Sequence, residues 1–177
     1  MSQNFYIPNH MTAIVTTGNG GFDKLSHKIV KTPAINKNEV LVKVLAAGIN
    51  NTEINTRIGW YSSSVQSGTE TLHKNIEEVR SYKNTGWNGD TNFPLIQGSD
   101  CCGIVVNCKD NKFNSLLGKR VIIRPCIRVE GFSSKQKIWM ASNFDGAFAE
   151  YVKVSATEVF PIDCDWSDAE LATIPCS

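Results

Sequence analysis

Asn50 and Asn51 stand in tandem directly after the strand-like run that ends at Gly48, and Thr52, Asn55, Arg57, Trp60 and Tyr61 follow within "LAAGINNTEINTRIGWY". These side chains could handle a polar ligand without any metal. An asparagine amide donates and accepts at once, so Asn50 could orient a carbonyl or an aromatic amide. The same residue type is among the best helix N-caps, and "NTEINTR" reads as a short helix. Both roles remain open for Asn50, while Asn51 reads as a cap or loop residue. The Thr52 hydroxyl could relay a proton to a substrate oxygen or bond its own backbone. Trp60, Tyr61 and Trp87 could wall a pocket, as aromatic rings often do, or fasten one segment to another. Arg57 reads as a surface ion pair.

A second group lies at Ser99, Asp100, Cys101 and Cys102. Asp100 could hold Arg57 or order a turn. The chain has six cysteines and no C-x-x-C pair, so zinc-ribbon spacing is lacking. His10, His27 and His73 are scattered and add no ligand spacing. Most of the thiols read as small buried hydrophobes.

The elements that must position these residues are mostly strands. Segments 11–17, 27–33, 38–48, 102–108, 119–126, 146–154 and 157–162 are rich in β-branched residues, with Gly, Asn and Pro between them. In segment 38–48, Val40, Val42 and Val44 should share one face, with Leu41 and Leu45 on the other. Short strands at uneven spacing predict a Greek-key barrel or bent sheet rather than a βαβ array. Two helices are expected. One lies in "SGTETLHKNIEEVRS", where Ser67 and Glu70 form a capping-box pattern and Leu72, Ile76 and Val79 share a face. It sits within a polar excursion over 62–92, read as an insertion. The other opens at Ser167 and Glu170, again in capping-box spacing, and stops short of a C-terminal signal. The chain therefore reads as the front part of a longer protein.

With 177 residues, 41% hydrophobic, and a formal net charge of +1, the chain can bury a core and shows no charge excess for nucleic acid or a membrane surface. No run of about 18 apolar residues is present to span a bilayer. The start "MSQNFYIPNHM" has neither the basic residues nor the apolar stretch of a secretory signal. The expected compartment is the cytoplasm. No G-x-G-x-x-G motif is present.

Four segments, "VLVKVLAAGINNTEINTRIGWY", "FPLIQGSDCCGIVV", "GKRVIIRP" and "DGAFAEYVKV", with "LATIPCS" following them, together resemble the medium-chain dehydrogenase/reductase superfamily of alcohol dehydrogenases and quinone oxidoreductases. The resemblance implies a mostly β, GroES-like, partly open barrel as catalytic domain over 11–165, interrupted by the 62–92 insertion. Residues 166–177 would begin the helix leading to a Rossmann domain that this sequence lacks. It further implies NADPH or NADH, with NADPH preferred, bound mainly by that absent domain, and a homo-oligomer at full length.

The zinc-dependent members carry a cysteine ligand where this sequence has Asn50, and a His-Glu pair where it has Ser99 and Asp100. The structural zinc lobe of the family needs four cysteines, and only Cys126 is offered. The resemblance is therefore to the zinc-free branch. There Asn50 and Tyr61 would lie by the nicotinamide, Asn50 and Thr52 would serve the chemistry, and Trp60, Tyr61 and Ser99 would line the substrate pocket. Asn55 matches neither the relay histidine nor the tyrosine seen in the two branches. The expected function is zinc-independent hydride transfer to a small quinone or carbonyl-conjugated alkene. Two alternatives stand beside it: an alcohol dehydrogenase with metal held through Cys101 or Cys102, and a non-catalytic GroES-like module binding a partner.

Overall fold

The computed structural model describes residues 5–66, 68, 85–86, 89–128, 133 and 137–176. Ten strands and two short α-helices lie within these. In chain order they are β1 (His10–Thr16), β2 (Leu25–Lys31), β3 (Glu39–Gly48), α1 (Asn51–Arg57), β4 (Leu95–Ile96) and β5 (Asp100–Cys108). Then follow β6 (Arg120–Ile123), β7 (Cys126–Arg128), β8 (Lys137–Trp139), β9 (Tyr151–Ser155), β10 (Val159–Pro161) and α2 (Asp168–Leu171). The helix expected in 67–81, its capping pair Ser67 and Glu70, and Trp87 lie outside the described residues.

All pairings between these strands are antiparallel. One sheet runs β2-β1-β4, a second runs β10-β6-β5-β3-β9, and β7 pairs with β8 alone. The two larger sheets do not close into a full barrel. Residues 146–150 bridge them instead. The Gly146, Ala147 and Phe148 N–H groups donate to the Ile96, Gly98 and Gln97 carbonyls at 2.7, 2.8 and 2.8 Å, and the Phe148 carbonyl accepts from the Ile14 N–H at 2.8 Å. That is why the strand expected from 146 begins only at Tyr151: the first residues of the segment spend their N–H groups on loop carbonyls instead of a regular ladder.

The core follows the alternation of the long strands. Val40 and Val42 of β3, Cys101 and Val105 of β5, Val121 and Ile123 of β6 and Val152 and Val154 of β9 pack together. Leu41 faces a second cluster with Met11, Ala13, Val15 and Ile96. Each fully buried side chain of this size stabilises the fold by about 1.5–3 kcal/mol relative to exposure. Leu45 departs from the expected pattern and is 39% exposed. A register shift between Val44 and Ala46 inserts an extra residue there, and such a bulge re-aims the strand beyond it. The strand end carrying Gly48 is the part re-aimed, and it leads straight to Asn50.

The vicinal cysteines separate by the same alternation. Cys101 joins the main core, whereas Cys102 packs on Leu171 and Ala172 of the α2 segment. Among the described residues no helix is long and apolar enough to cross a membrane.

Candidate active site

Asn50 holds the N-cap position of α1 in extended conformation (φ −112°, ψ 163°). The helix start is secured chiefly by Glu53, whose Oε2 accepts the Asn50 backbone N–H at 2.8 Å. The Asn50 side chain and the Glu53 N–H face one another across the first turn, completing a reciprocal capping box. Its amide nitrogen points across to β5 and donates to Asp100 Oδ2 at 2.9 Å and to Ser99 Oγ at 3.3 Å. Of the two roles open to Asn50, the structure therefore shows a cap position whose side chain serves a tertiary cluster.

Glu53 is the centre of that cluster, and sequence reasoning missed it. It is 4% exposed. Oε1 accepts the Ser99 N–H at 2.8 Å and the Ser99 hydroxyl at 2.7 Å, and its main-chain carbonyl accepts Gln97 Nε2 at 3.0 Å. Gln97 in turn accepts the Thr16 hydroxyl at 2.8 Å, tying the cluster to β1. A buried carboxylate is tolerated only when its oxygens are filled in this way. The signal that could have found it was present: Asn50-x-x-Glu53 has capping-box spacing.

Asp100 does not hold Arg57. It is 2% exposed, and its Oδ1 accepts the Cys176 N–H at 2.7 Å. Cys176, seventy-six residues away, is thus drawn to the cluster. Its thiol is pushed up by burial, held back by a hydrogen bond with Ser99, and raised further by the charges of Asp100 and Glu53. Gly48 admits this approach. A Cβ there would lie 2.7 Å from the Ala172 carbonyl oxygen and 2.9 Å from Asp100 Cβ. Gly98, just before Ser99, has φ +101°, a conformation that suits glycine.

The other expected site residues divide. Thr52 is half-buried in the first turn of α1, and its hydroxyl has no hydrogen-bond partner among the described residues. Trp60 and Tyr61 lie beyond the far end of α1, about 10 Å along at 1.5 Å per residue. Their rings pack edge to face at 5.6 Å and 74°, and they take no part in the Asn50–Glu53–Ser99–Asp100 bonds. Arg57 corrects the surface reading: it is 5% exposed, and its Nη1 donates to the Gly20 carbonyl at 2.7 Å. Its guanidinium lies 4.9 Å over the Phe22 ring. A cavity of about 440 Å³ opens elsewhere, lined by Met11, Val15, Ile96, Phe144 and Tyr151 among others, without the cluster residues.

The alcohol dehydrogenase GroES-like domain model matches residues 36–164. The chain belongs to this family, within the medium-chain dehydrogenase/reductase superfamily. The GroES-like domain is 28% identical over 160 residues to the crotonyl-CoA carboxylase/reductase of Cereibacter sphaeroides, covering 83% of this chain and 32% of that protein. It is 26% identical over 140 residues to the human mitochondrial NAD(P)H oxidoreductase RTN4IP1, covering 78% of this chain and 28% of the relative. Among solved structures, a protein of Sinorhizobium meliloti 1021 assigned as an alcohol dehydrogenase superposes with a TM-score of 0.78 at 32% identity. It covers 96% of this chain and 45% of its own length. A cobalt- and zinc-bound alcohol dehydrogenase of Pyrobaculum aerophilum shares the fold, with a TM-score of 0.66 at 19% identity over 94% of this chain and 45% of its own. The chain thus spans about a third of its curated relatives.

Zinc-bound relatives raise the question of whether this GroES-like domain could hold the metal. Its site offers a neutral amide at Asn50 and a hydroxyl at Ser99, and the oxygens of Asp100 and Glu53 already accept protein N–H and O–H groups. Catalytic zinc takes three ligands from thiolate, imidazole or carboxylate. Among the described residues no three such side chains converge. Cys101 and Cys102 are turned into the two cores. Burial pushes the Cys101 thiol far above its ordinary range, and burial with the Asp168 charge pushes Cys102 up to about 11. This donor set does not suit zinc.

Proposed function

We propose that this GroES-like domain, taken over residues 11–165, is the catalytic domain of an NAD(P)H-dependent, zinc-independent reductase of the quinone or enone type. The observation that carries the reading is the self-satisfied polar cluster of Asn50, Glu53, Ser99 and Asp100. It stands where zinc-dependent members of the superfamily keep metal ligands, and it completes its bonds with amides, hydroxyls and carboxylates alone. The names of two relatives, a reductase and an NAD(P)H oxidoreductase, support the same class.

A bound nicotinamide would supply the hydride, bound in large part by chain outside these residues. The residues present would orient and polarise. Thr52, whose hydroxyl has no partner among the described residues, can donate to a substrate oxygen as negative charge develops there. Glu53 fixes Ser99, and Ser99 and Asp100 fix Asn50, so the amide beside the reacting atoms does not reorganise. Trp60 and Tyr61 would border the substrate from the far end of α1. NADPH is favoured over NADH, a homo-oligomer is expected at full length, and the cytoplasm is the expected compartment.

Titration of the full-length protein with NADPH and NADH, followed by nicotinamide fluorescence, tests the reading. Saturable binding and turnover of a quinone or enone, with metal below stoichiometric level by elemental analysis, is the expected result. Binding of neither dinucleotide, or stoichiometric zinc, would overturn it.

A further inference from the structure

The cavity of about 440 Å³ lies apart from the polar cluster, where β1, β2, β4 and β9 meet the 143–146 segment. Its wall is largely apolar. Met11 and Val15 of β1, Val30 of β2, Ile96 of β4 and Phe144 line it, and none of Asn50, Glu53, Ser99 or Asp100 does. Met11, Val15, Ile96 and Tyr151 belong to the second hydrophobic cluster, so the cavity opens beside a core. Water held against such a wall finds few polar partners, and an apolar ligand that displaces it gains the hydrophobic term. Small-molecule sites run to about 300–1,000 Å³ and combine walls of this kind with a few placed polar groups.

Three polar side chains matter here. Tyr151 is 7% exposed, and its hydroxyl has no hydrogen-bond partner among the described residues. Burial, with the Glu150 charge and Tyr6, holds that hydroxyl above its ordinary value, so at neutral pH it keeps a proton to donate. Lys153 lies two residues on and therefore on the same face of β9. Its Nζ stands 3.8 Å from Glu39, a loose, part-exposed pair of the kind that contributes little. Lys31 ends β2 and has no ion-pair partner among the described residues. Lysine stems can lie along an apolar wall while the ammonium groups stay at the mouth. Among the described residues the one acid in the lining is Asp145, and the Ile96 N–H already occupies one of its oxygens at 2.9 Å. In the lining, positive charge thus exceeds negative by one.

We propose that this cavity binds a small monocarboxylate with an apolar tail. The tail lies among Met11, Val15 and Ile96, and the carboxylate meets Lys31, Lys153 and the Tyr151 hydroxyl. A single net positive charge suits a monoanion, and Asp145 disfavours a dianion. The site is separate from the reductase centre and does not depend on that reading.

The probe is octanoate, added without dinucleotide to the full-length protein carrying ¹³C at its methionine methyls. Met11 is 4% exposed and lines the cavity, whereas Met140 is buried in the main core. The Met11 signal, assigned by its loss in Met11→Leu, should shift saturably while Met140 stays in place. Butyrate should bind more weakly, by about two- to fourfold for each methylene removed. Octanol should bind about three- to tenfold more weakly than octanoate. Lys31→Gln combined with Lys153→Gln should bring octanoate to the level of octanol, with an unchanged Met140 signal reporting an intact core. Tyr151→Phe should weaken octanoate about threefold. No Met11 shift at millimolar octanoate overturns the proposal. So does equal binding of octanol and octanoate, or a double lysine variant that binds octanoate as tightly as the wild type. With no dinucleotide present, failure here leaves the reductase reading standing, and failure of that reading leaves this site standing.

Discussion

The two helices begin with the same spacing, Asn50-x-x-Glu53 at α1 and Ser167-x-x-Glu170 at α2. In both, the glutamate accepts the N-cap backbone N–H at 2.8 Å. At α2 the box closes on itself: the Ser167 hydroxyl donates to Glu170 Oε2 at 2.7 Å and accepts the Glu170 N–H at 3.3 Å. The glutamate stays exposed. At α1 the N-cap has no hydroxyl to return, and Glu53 is buried against β5, where its second oxygen takes Ser99. Identical local grammar thus yields a plain helix start in one place and the keystone of a polar cluster in the other. The difference comes from the neighbouring strand, not from the helix.

The most disruptive way to sharpen this contrast is Glu53→Ala against Glu170→Ala. The first leaves two buried N–H groups and a hydroxyl without an acceptor and should cost on the order of 3 kcal/mol or more. The second should shift a urea midpoint far less. Equal shifts would mean that the Ser99 bonds contribute nothing. Next comes Ser99→Ala, which removes one bond from Glu53 and one from Asn50 and should cost about 1–2 kcal/mol. It should also lower reductase turnover in the full protein, since Asn50 loses a restraint.

A smaller effect reads the α2 side alone. Cys102, packed on Leu171 and pushed up to about 11 by burial and Asp168, should alkylate slowly. At pH 9 about one thiol in a hundred is thiolate, and the rate should climb until pH approaches 11. Pairing Ser167→Ala with Glu170→Ala should speed this labelling and leave the α1 cluster untouched. The least change is expected from acid. Hydrogen bonds from the Ser167 hydroxyl and N–H hold the Glu170 carboxyl below its ordinary value. Its stabilisation is thus present above the unfolded value and fades as pH falls through the folded one. An NMR titration of that carboxyl should show a midpoint under 4.5.

The long strands were legible because alternation over seven or more residues is a strong signal. β4, β7 and β8, with two or three residues each, are too short to carry a period. Asn50, Ser99 and Asp100 were singled out from their positions, and the fold gathers them. Cys176 could not be, since its bond to Asp100 joins residues seventy-six positions apart. Arg57 was read as exposed because charge suggests surface, yet the Gly20 carbonyl and the Phe22 ring give it a buried seat. Glu53 was readable as a cap and unreadable as more, because helix spacing says nothing of what lies opposite.

Asp100 divides its two oxygens between Asn50 and the main chain at Cys176. It works as a yoke: a shift of the trailing segment by a fraction of an ångström would tug the carboxylate and, through it, swing the amide. The placement of whatever chain adjoins Cys176 is thereby mechanically legible at the asparagine.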